Sequence, residues 1–180
     1  MNLPTVIVLA SGRSERFTAS GGSTGKLQAR LAGKTVLQHT LDAVQASGLP
    51  WHLEDAGHPG MGDSIAAAVR ATWKSGAQTA GWLILPGDLP LIQSATLRAV
   101  AAALNDHQVV VPIYRGQRGH PVGFAAKCGP ALLNLQGNRG GASVVRVYPV
   151  FELVIDDVGC VTDIDTLADL QAADRLIHGV

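Results

Sequence analysis

Three observations predict an α/β fold with a mostly parallel sheet and helices on both faces. Short apolar runs recur along the chain: TVIVLA (5–10), GWLILPGD (81–88) and QVVVPIY (108–114). Between them lie stretches whose apolar residues repeat at helical spacing. The first two runs also end in small-residue or Pro-Gly turns, Ala10-Ser11-Gly12 and Pro86-Gly87. Strands buried on both faces read as continuous apolar runs, and their alternation with helices gives a three-layer arrangement.

The elements follow in order. Run 5–10 is the first strand. In KTVLQHTLDAVQASG (34–48), Val36, Leu37, Thr40, Leu41 and Val44 share one helical face, and Gly48 is the stop. DSIAAAVRATW (63–73) repeats the pattern through Ile65, Ala68, Val69 and Thr72. Run 81–88 is a second strand. SATLRAVAAAL (94–104) reads as a helix capped by its serine. Run 108–114 is a third strand, HPVGFAA (120–126) a further one, and GPALLNL (129–135) a short helix. RVYPVFELVIDD (146–157) is strand-like around Pro149. DTLADLQAADRLI (165–177) closes as a helix, with Thr166 and Asp169 at capping-box spacing.

The 180 residues suit a single domain over 1–180 with a sizeable core. Hydrophobic residues make up 47%, which excludes a disordered chain. Basic and acidic residues balance at 14 each, which argues against a nucleic-acid binder. The short apolar N-terminal run lacks the basic start of an export signal, and no run is long enough to span a membrane. The expectation is a cytoplasmic protein with no membrane or nucleic-acid partner. Cys128 and Cys160 form no CxxC and have no histidine at metal-ligand spacing, so they read as inert thiols.

SGGSTGKLQ (20–28) superficially resembles a phosphate-binding P-loop. Ser20 stands where the first glycine should be, Leu27 follows the lysine in place of a hydroxyl residue, and the strand ends too far upstream. A dinucleotide fingerprint fails too, because ASGRSERF offers one glycine. The longer stretch LASGRSERFTASGGSTGKL (9–27) reads better. Leu9, Ala10, Ser11 and Gly12 form a small-residue turn whose backbone N–H groups can face phosphates. Arg13, Arg16 and Lys26 then supply cations suited to a triphosphate; the alternative is a solvated basic loop. Ligands of open α/β sheets sit at the C-terminal ends of strands, so this loop and the Pro86-Gly87-Asp88 turn should open on one edge.

VLASGRSERF…GKL resembles the signature loop of the MobA/MocA-like nucleotidyltransferases. Four further pieces follow in that family's order: GMGDSIAAAV (60–69), LPGDLPLI (85–92), PIYRGQRGHPVGF (112–124) and VTDIDTLADL (161–170). RGQRGHP and Ala10-Ser11-Gly12 resemble the molybdenum-cofactor cytidylyltransferase branch. The resemblance implies a Rossmann-like sheet of nucleotide-diphospho-sugar transferase type with one antiparallel strand insertion. It implies transfer of CMP from CTP to the terminal phosphate of the molybdenum-pterin cofactor.

Attack on an α-phosphate needs charge neutralisation and alignment more than a covalent nucleophile. Magnesium would bridge the α-phosphate and the leaving pyrophosphate, held by Asp88, a role the resemblance also assigns it. Asp163 and Asp165 are two residues apart. One is expected to complete the metal site and the other to cap the last helix, and spacing does not say which. Lys26 and Arg16 would meet the triphosphate tail. Gly62 and Ser64 precede a helix, where anions are favoured; the resemblance puts that turn near the base or ribose, and a plain Asp or Ser cap fits equally. Arg118, Gly119, His120 and Pro121 would lie on the acceptor side.

Three departures from the family pattern stand out. Only LPWHLEDAGHP (49–59) fills an interval that usually holds a strand, a helix and another strand. The loop before Lys26 carries an added Gly/Ser/Thr run. The family's G-D-x-G-A-R segment reads GNRGGAS (137–143), with Asn138 in place of the acid and Ala142 in place of the arginine. Two further readings therefore stay open: a nucleotidyltransferase for another phosphate acceptor, and a non-catalytic carrier delivering the cofactor to a molybdenum hydroxylase client.

Overall fold

A computed structural model describes residues 2–12, 14–73 and 79–179. Arg13 lies outside the described residues. The elements are β1 (Thr5–Leu9), α1 (Glu15–Ala19), β2 (Arg30–Leu31), β3 (Lys34–Thr35), α2 (Val36–Ser47), β4 (Trp51–Glu54), α3 (Met61–Thr72), β5 (Gly81–Pro86) and α4 (Ser94–Ala103). They continue with β6 (Val109–Tyr114), β7 (Gln117–Arg118), β8 (Val122–Ala125), α5 (Gly129–Leu133), α6 (Ala142–Val145), β9 (Val150–Val154) and α7 (Leu167–His178).

The main sheet runs β4-β1-β5-β8-β6-β7, with β9 also on β6. β1 pairs in parallel with β4 and β5, and β6 in parallel with β9. β8 lies antiparallel between β5 and β6, and β7 is antiparallel to β6 further along. Residues 109, 110 and 113 of β6 are shared with β9, so β7 and β8 occupy its opposite edge. The antiparallel insertion is thus one lane in two pieces, interrupted by Gly119, His120 and Pro121. That break sets His120 beside the C-terminal end of β5.

Alternation along the strands divides the core. Val6, Val8, Leu83 and Leu85 pack with Val44, Leu97 and Val100 on the face carrying α2 and α4. Ile7, Trp82 and Ile84 pack with Ile65, Val69, Leu132 and Val144 on the face carrying α3, α5 and α6. A third cluster of Phe17, Leu31, Val36, Ile164 and Ala173 joins α1, the β2–β3 hairpin and α7. It ties the loop after β1 to the C-terminal helix.

Two cap assignments change. Ser94 is the first residue of α4, not its cap; the flanking residue is Gln93, whose N–H donates to Asp157 Oδ2 at 3.0 Å. Thr96 Oγ1 donates to the same oxygen at 2.6 Å, so a carboxylate beyond β9 takes over the helix start. Neither Asp163 nor Asp165 caps α7. Thr166 does, in the reciprocal box with Asp169 that the spacing predicts. The interval 49–59 holds one strand, β4, at the sheet edge. No helix among the described residues is long and apolar enough to cross a membrane.

Candidate functional site

The loops after β1 and β5 do open on one edge. The Gly87 N–H donates to the Leu9 carbonyl at 2.9 Å, and Thr40 Oγ1 of α2 donates to the Gly87 carbonyl at 2.9 Å. These bonds fix a floor of backbone beneath a cavity of about 510 Å³. Leu9, Ser11, Gly12, Lys26, Pro86, Gly87 and Asp88 line it, with Ser64 from α3. A side chain at Gly12 would meet open space, so the backbone there is accessible to a ligand. Ser11 and Ser64 share a hydroxyl–hydroxyl bond of 3.2 Å. Ala10 does not line the cavity; its N–H donates to the Glu54 carbonyl, joining the turn to β4.

The charged residues converge at one end of this floor. Lys26 Nζ donates to Asp88 Oδ2 at 2.5 Å and to Asp165 Oδ1 at 2.8 Å. Arg16 Nη1 pairs with the other Asp165 oxygen at 2.8 Å. The 165 side reaches Asp88 because the Ile164 N–H donates to the Asp88 carbonyl at 3.0 Å. Ile164 is fully buried, so Asp163 and Asp165 flank a core residue, and Asp163 lies near enough to Asp88 and Asp165 to feel their charge. Burial works against the charged form of Lys26, but Asp88 and Asp165 outweigh it and its pKa is raised. The lysine is therefore a fixed cation at neutral pH.

Asp88 is 8% exposed, and its second oxygen, Oδ1, has no hydrogen-bond partner. Partial desolvation of its carboxyl, although the residue itself is exposed, and then repulsion from Asp88 and Asp165, raise the pKa of Asp163. Both features suit a cation arriving between Asp88 and Asp163. Among the described residues no three acidic, histidine or cysteine side chains form a complete metal cage. A hard cation such as Mg²⁺ does not need one, because it takes one or two carboxylates and fills its remaining positions with water and phosphate.

The acceptor-side residues divide. Arg118 of β7 pairs with Glu152 of β9 at 2.7 Å, reaching across β6, which lies between the two strands, and it does not line the cavity. The Gly119 N–H donates to the Pro112 carbonyl, and the His120 N–H to the Cys160 carbonyl at 2.8 Å. Pro121 follows a cis peptide. His120 is the member of this turn whose ring feels the charge of Asp88 and Asp163. Burial lowers its pKa more than Asp88 and Asp163 raise it, so its ring is neutral, and its Nδ1 is buried without a partner. Burial also pushes Cys128 and Cys160 up to about 11, consistent with inert thiols.

The start of α3 departs from expectation. Gly62 is packed beneath the 136–139 strap and is not open to a ligand: its N–H donates to the Gly137 carbonyl at 2.8 Å. Gly60 is the flanking residue, and no side chain caps the helix. Asp63 instead accepts from the Gly137 N–H at 3.1 Å. The strap takes up part of the N-terminal donor set and brings Asn138 to the cavity, beside His58 and Met61. Sequence reasoning missed His58 and Met61. A usable signal existed for the histidine: alternation in HLE puts His52 and Glu54 on one side of a strand, and the buried Glu54 carboxylate lies 3.3 Å from His58 Nε2.

Comparisons with known proteins agree with this fold. A family model described as the MobA-like NTP transferase domain matches residues 42–153. Rv0371c from Mycobacterium tuberculosis H37Rv is similar in structure, with 24% identity, 95% of this chain and 96% of that chain covered, and a TM-score of 0.78. A crystal structure of Rv0371c in complex with manganese has 23% identity, 95% and 97% coverage and a TM-score of 0.73. Molybdopterin-guanine dinucleotide biosynthesis protein A from Archaeoglobus fulgidus has 16% identity, 98% and 100% coverage and a TM-score of 0.70. At these identities the structural likeness is one of fold, and it extends along nearly the whole length. A search of curated proteins returns no significant match. The chain belongs to the MobA-like NTP transferase family and is a nucleotidyltransferase.

Proposed function

We propose that the protein transfers CMP from CTP to the terminal phosphate of a molybdenum-bound pterin, with Mg²⁺ as the cofactor. The observation that carries this reading is the meeting of Lys26 and Asp88 at the foot of a cavity floored by the Leu9–Gly12 backbone. An oxygen of the acceptor phosphate attacks the α-phosphorus of CTP. The bond from that phosphorus to the bridging oxygen breaks, and pyrophosphate leaves with the electron pair. When bound, the metal neutralises charge on the α-phosphate and the leaving group.

The chain's own residues orient and neutralise. The Ser11 and Gly12 backbone approaches the phosphates, and Lys26 with Arg16 offsets charge on the β- and γ-phosphates. Asp88, through its free oxygen, and Asp163 would hold the metal. His120, neutral and next to these carboxylates, can donate to or accept from the incoming acceptor without adding charge. The choice of CTP over GTP rests on RGQRGHP and the Ala10-Ser11-Gly12 turn, features of the cytidylyl branch. A molybdenum hydroxylase is the client expected to take the product.

Pyrophosphate release, measured with molybdenum-loaded pterin, Mg²⁺ and either CTP or GTP, tests the proposal. The expected result is turnover with CTP that falls about 10²- to 10³-fold in Asp88→Asn, the scale of removing a transition-state charge stabiliser. Pterin binding without turnover of any nucleotide contradicts it. A second reading, transfer to another phosphate acceptor, draws on one observation: Arg118, the acceptor-side cation, is engaged by Glu152. Turnover with a sugar phosphate and none with the pterin would select it.

A further inference from the structure

Among the described residues, Lys26 and Arg16 meet Asp88 and Asp165 at the cavity foot, with Asp163 near enough to feel their charge, and these carboxylates are not equivalent. Both oxygens of Asp165 are taken, Oδ1 by Lys26 and Oδ2 by Arg16, each at 2.8 Å. Asp88 gives one oxygen to Lys26 and keeps the other, buried, without a partner. The segment around Asp165 also grips the loop elsewhere. The Leu167 N–H, a donor left over at the start of α7, is accepted by Ser20 Oγ at 3.0 Å, and a side chain at Gly21 would touch Leu167. Residues 165–167 therefore meet the loop at Arg16, Ser20, Gly21 and Lys26, two of which belong to its added Gly/Ser/Thr run.

We propose that Asp165 is a positioning residue and not a metal ligand: it is the seat that keeps Lys26 beside Asp88 without surrendering Asp88 to it. The inference rests on the reading that a divalent cation and a triphosphate meet at this foot. Lys26 is shared between two carboxylates. When a metal takes Asp88 and Asp163, Asp165 retains the lysine, which then faces the triphosphate. Without Asp165 the lysine has Asp88 alone, and it competes with the metal for that carboxylate. Asp165 thus acts on the metal through Lys26, whereas Asp163 acts on it directly.

A double-mutant cycle reads this difference, with the full chain and Mn²⁺ alone as the probe, followed by electron paramagnetic resonance of the free ion. Asp163→Asn is expected to weaken Mn²⁺ about tenfold or more, with or without Lys26. Asp165→Asn is expected to weaken it about tenfold in the Lys26 protein but less than about threefold in the Lys26→Ala background. Asp165→Glu, which keeps the charge, should recover part of the loss. Equal weakening by Asp165→Asn in both backgrounds makes Asp165 a ligand and overturns the proposal; so does no weakening in either. Should Asp165→Asn fail to fold, the Lys26→Ala/Asp165→Asn protein, which buries no unpaired lysine, decides against Lys26→Ala alone by the same threefold limit. No nucleotide or pterin enters the measurement, so absent CTP turnover leaves it readable. Failure of the unmodified protein to bind Mn²⁺ at all would instead overturn the metal reading on which the inference stands.

Discussion

The two sides of the cavity are built by different forces. On one side, Arg16, Lys26, Asp88 and Asp165 come from three segments far apart in the chain, the loop after β1, the turn after β5 and the stretch before α7, and meet through charged side chains. On the other, the start of α3 and the 136–139 strap meet mainly through backbone, with glycines where the chains touch. Ionised groups can exchange partners when a ligand arrives, whereas close backbone packing leaves no such freedom. Substitutions on the charged side should therefore change binding more than stability, and substitutions on the packed side the reverse.

The sharpest way to break this contrast is Gly62→Ala. The added carbon would meet the Arg139 carbonyl and the Gln136 backbone, neither of which is a flexible side-chain end. Overpacking of this kind costs about 1–3 kcal/mol, and contact with backbone on two sides puts the expectation near the top of that range. Chemical denaturation would measure it as a lower midpoint with an unchanged slope. A variant as stable as the parent, but with weaker nucleotide binding, would show that Gly62 faces ligand and not the strap.

Lys26→Ala tests the charged side. Loss of a charge-assisted contact is worth about 1.5–3 kcal/mol, so triphosphate affinity should fall about tenfold to a hundredfold while pterin affinity changes little. Isothermal titration with each ligand separates the two. Equal losses would remove Lys26 from the triphosphate and return the loop to a general basic surface.

The same contrast explains what could be read from the sequence. β1, β5 and β6 are apolar runs in a fully covered sheet, and α2 and α7 carry a periodic face with clear stops or caps, so local pattern and final environment agree. Asp88 stood out as a charge in the turn after a buried strand, whereas the meeting of Lys26 and Asp165 with it was signalled only by the motifs GKL and DIDT. β4 was not, because Trp51–Glu54 is short, sits at the edge and carries His52 and Glu54 in place of an apolar run. The two-residue strands β2 and β3 are too brief to show a period. The α4 cap was hidden because Asp157 comes from far along the chain, leaving Ser94 as the nearer and wrong candidate. Gly62 misled for a related reason: a glycine at a helix start signals close approach, but its neighbours do not say whether the approaching group is a ligand or the chain's own strap.

Asp163 gives the finest test, because it belongs to the charged side but lacks Asp165's two cationic partners. Partial desolvation of its carboxyl, on a residue that is otherwise exposed, with repulsion from Asp88 and Asp165, raises its pKa above the ordinary value of 3.8, against the opposing pull of Lys26. The folded chain thus binds this proton more tightly than the unfolded chain. The associated stability is fully present below the unfolded pKa and is lost as pH rises through the folded one. At neutral pH the ionised carboxylate is therefore a small liability to the metal-free protein. Asp163→Asn should melt slightly higher than the parent at pH 7 in the presence of a chelator, with the gap closing as pH falls through the carboxylate range. Added Mg²⁺ should reverse the order, because only the parent keeps the second carboxylate for the ion. Parallel melting curves at every pH would mean that Asp163 is solvated enough to escape its neighbours, and Asp88 would then hold the metal without it.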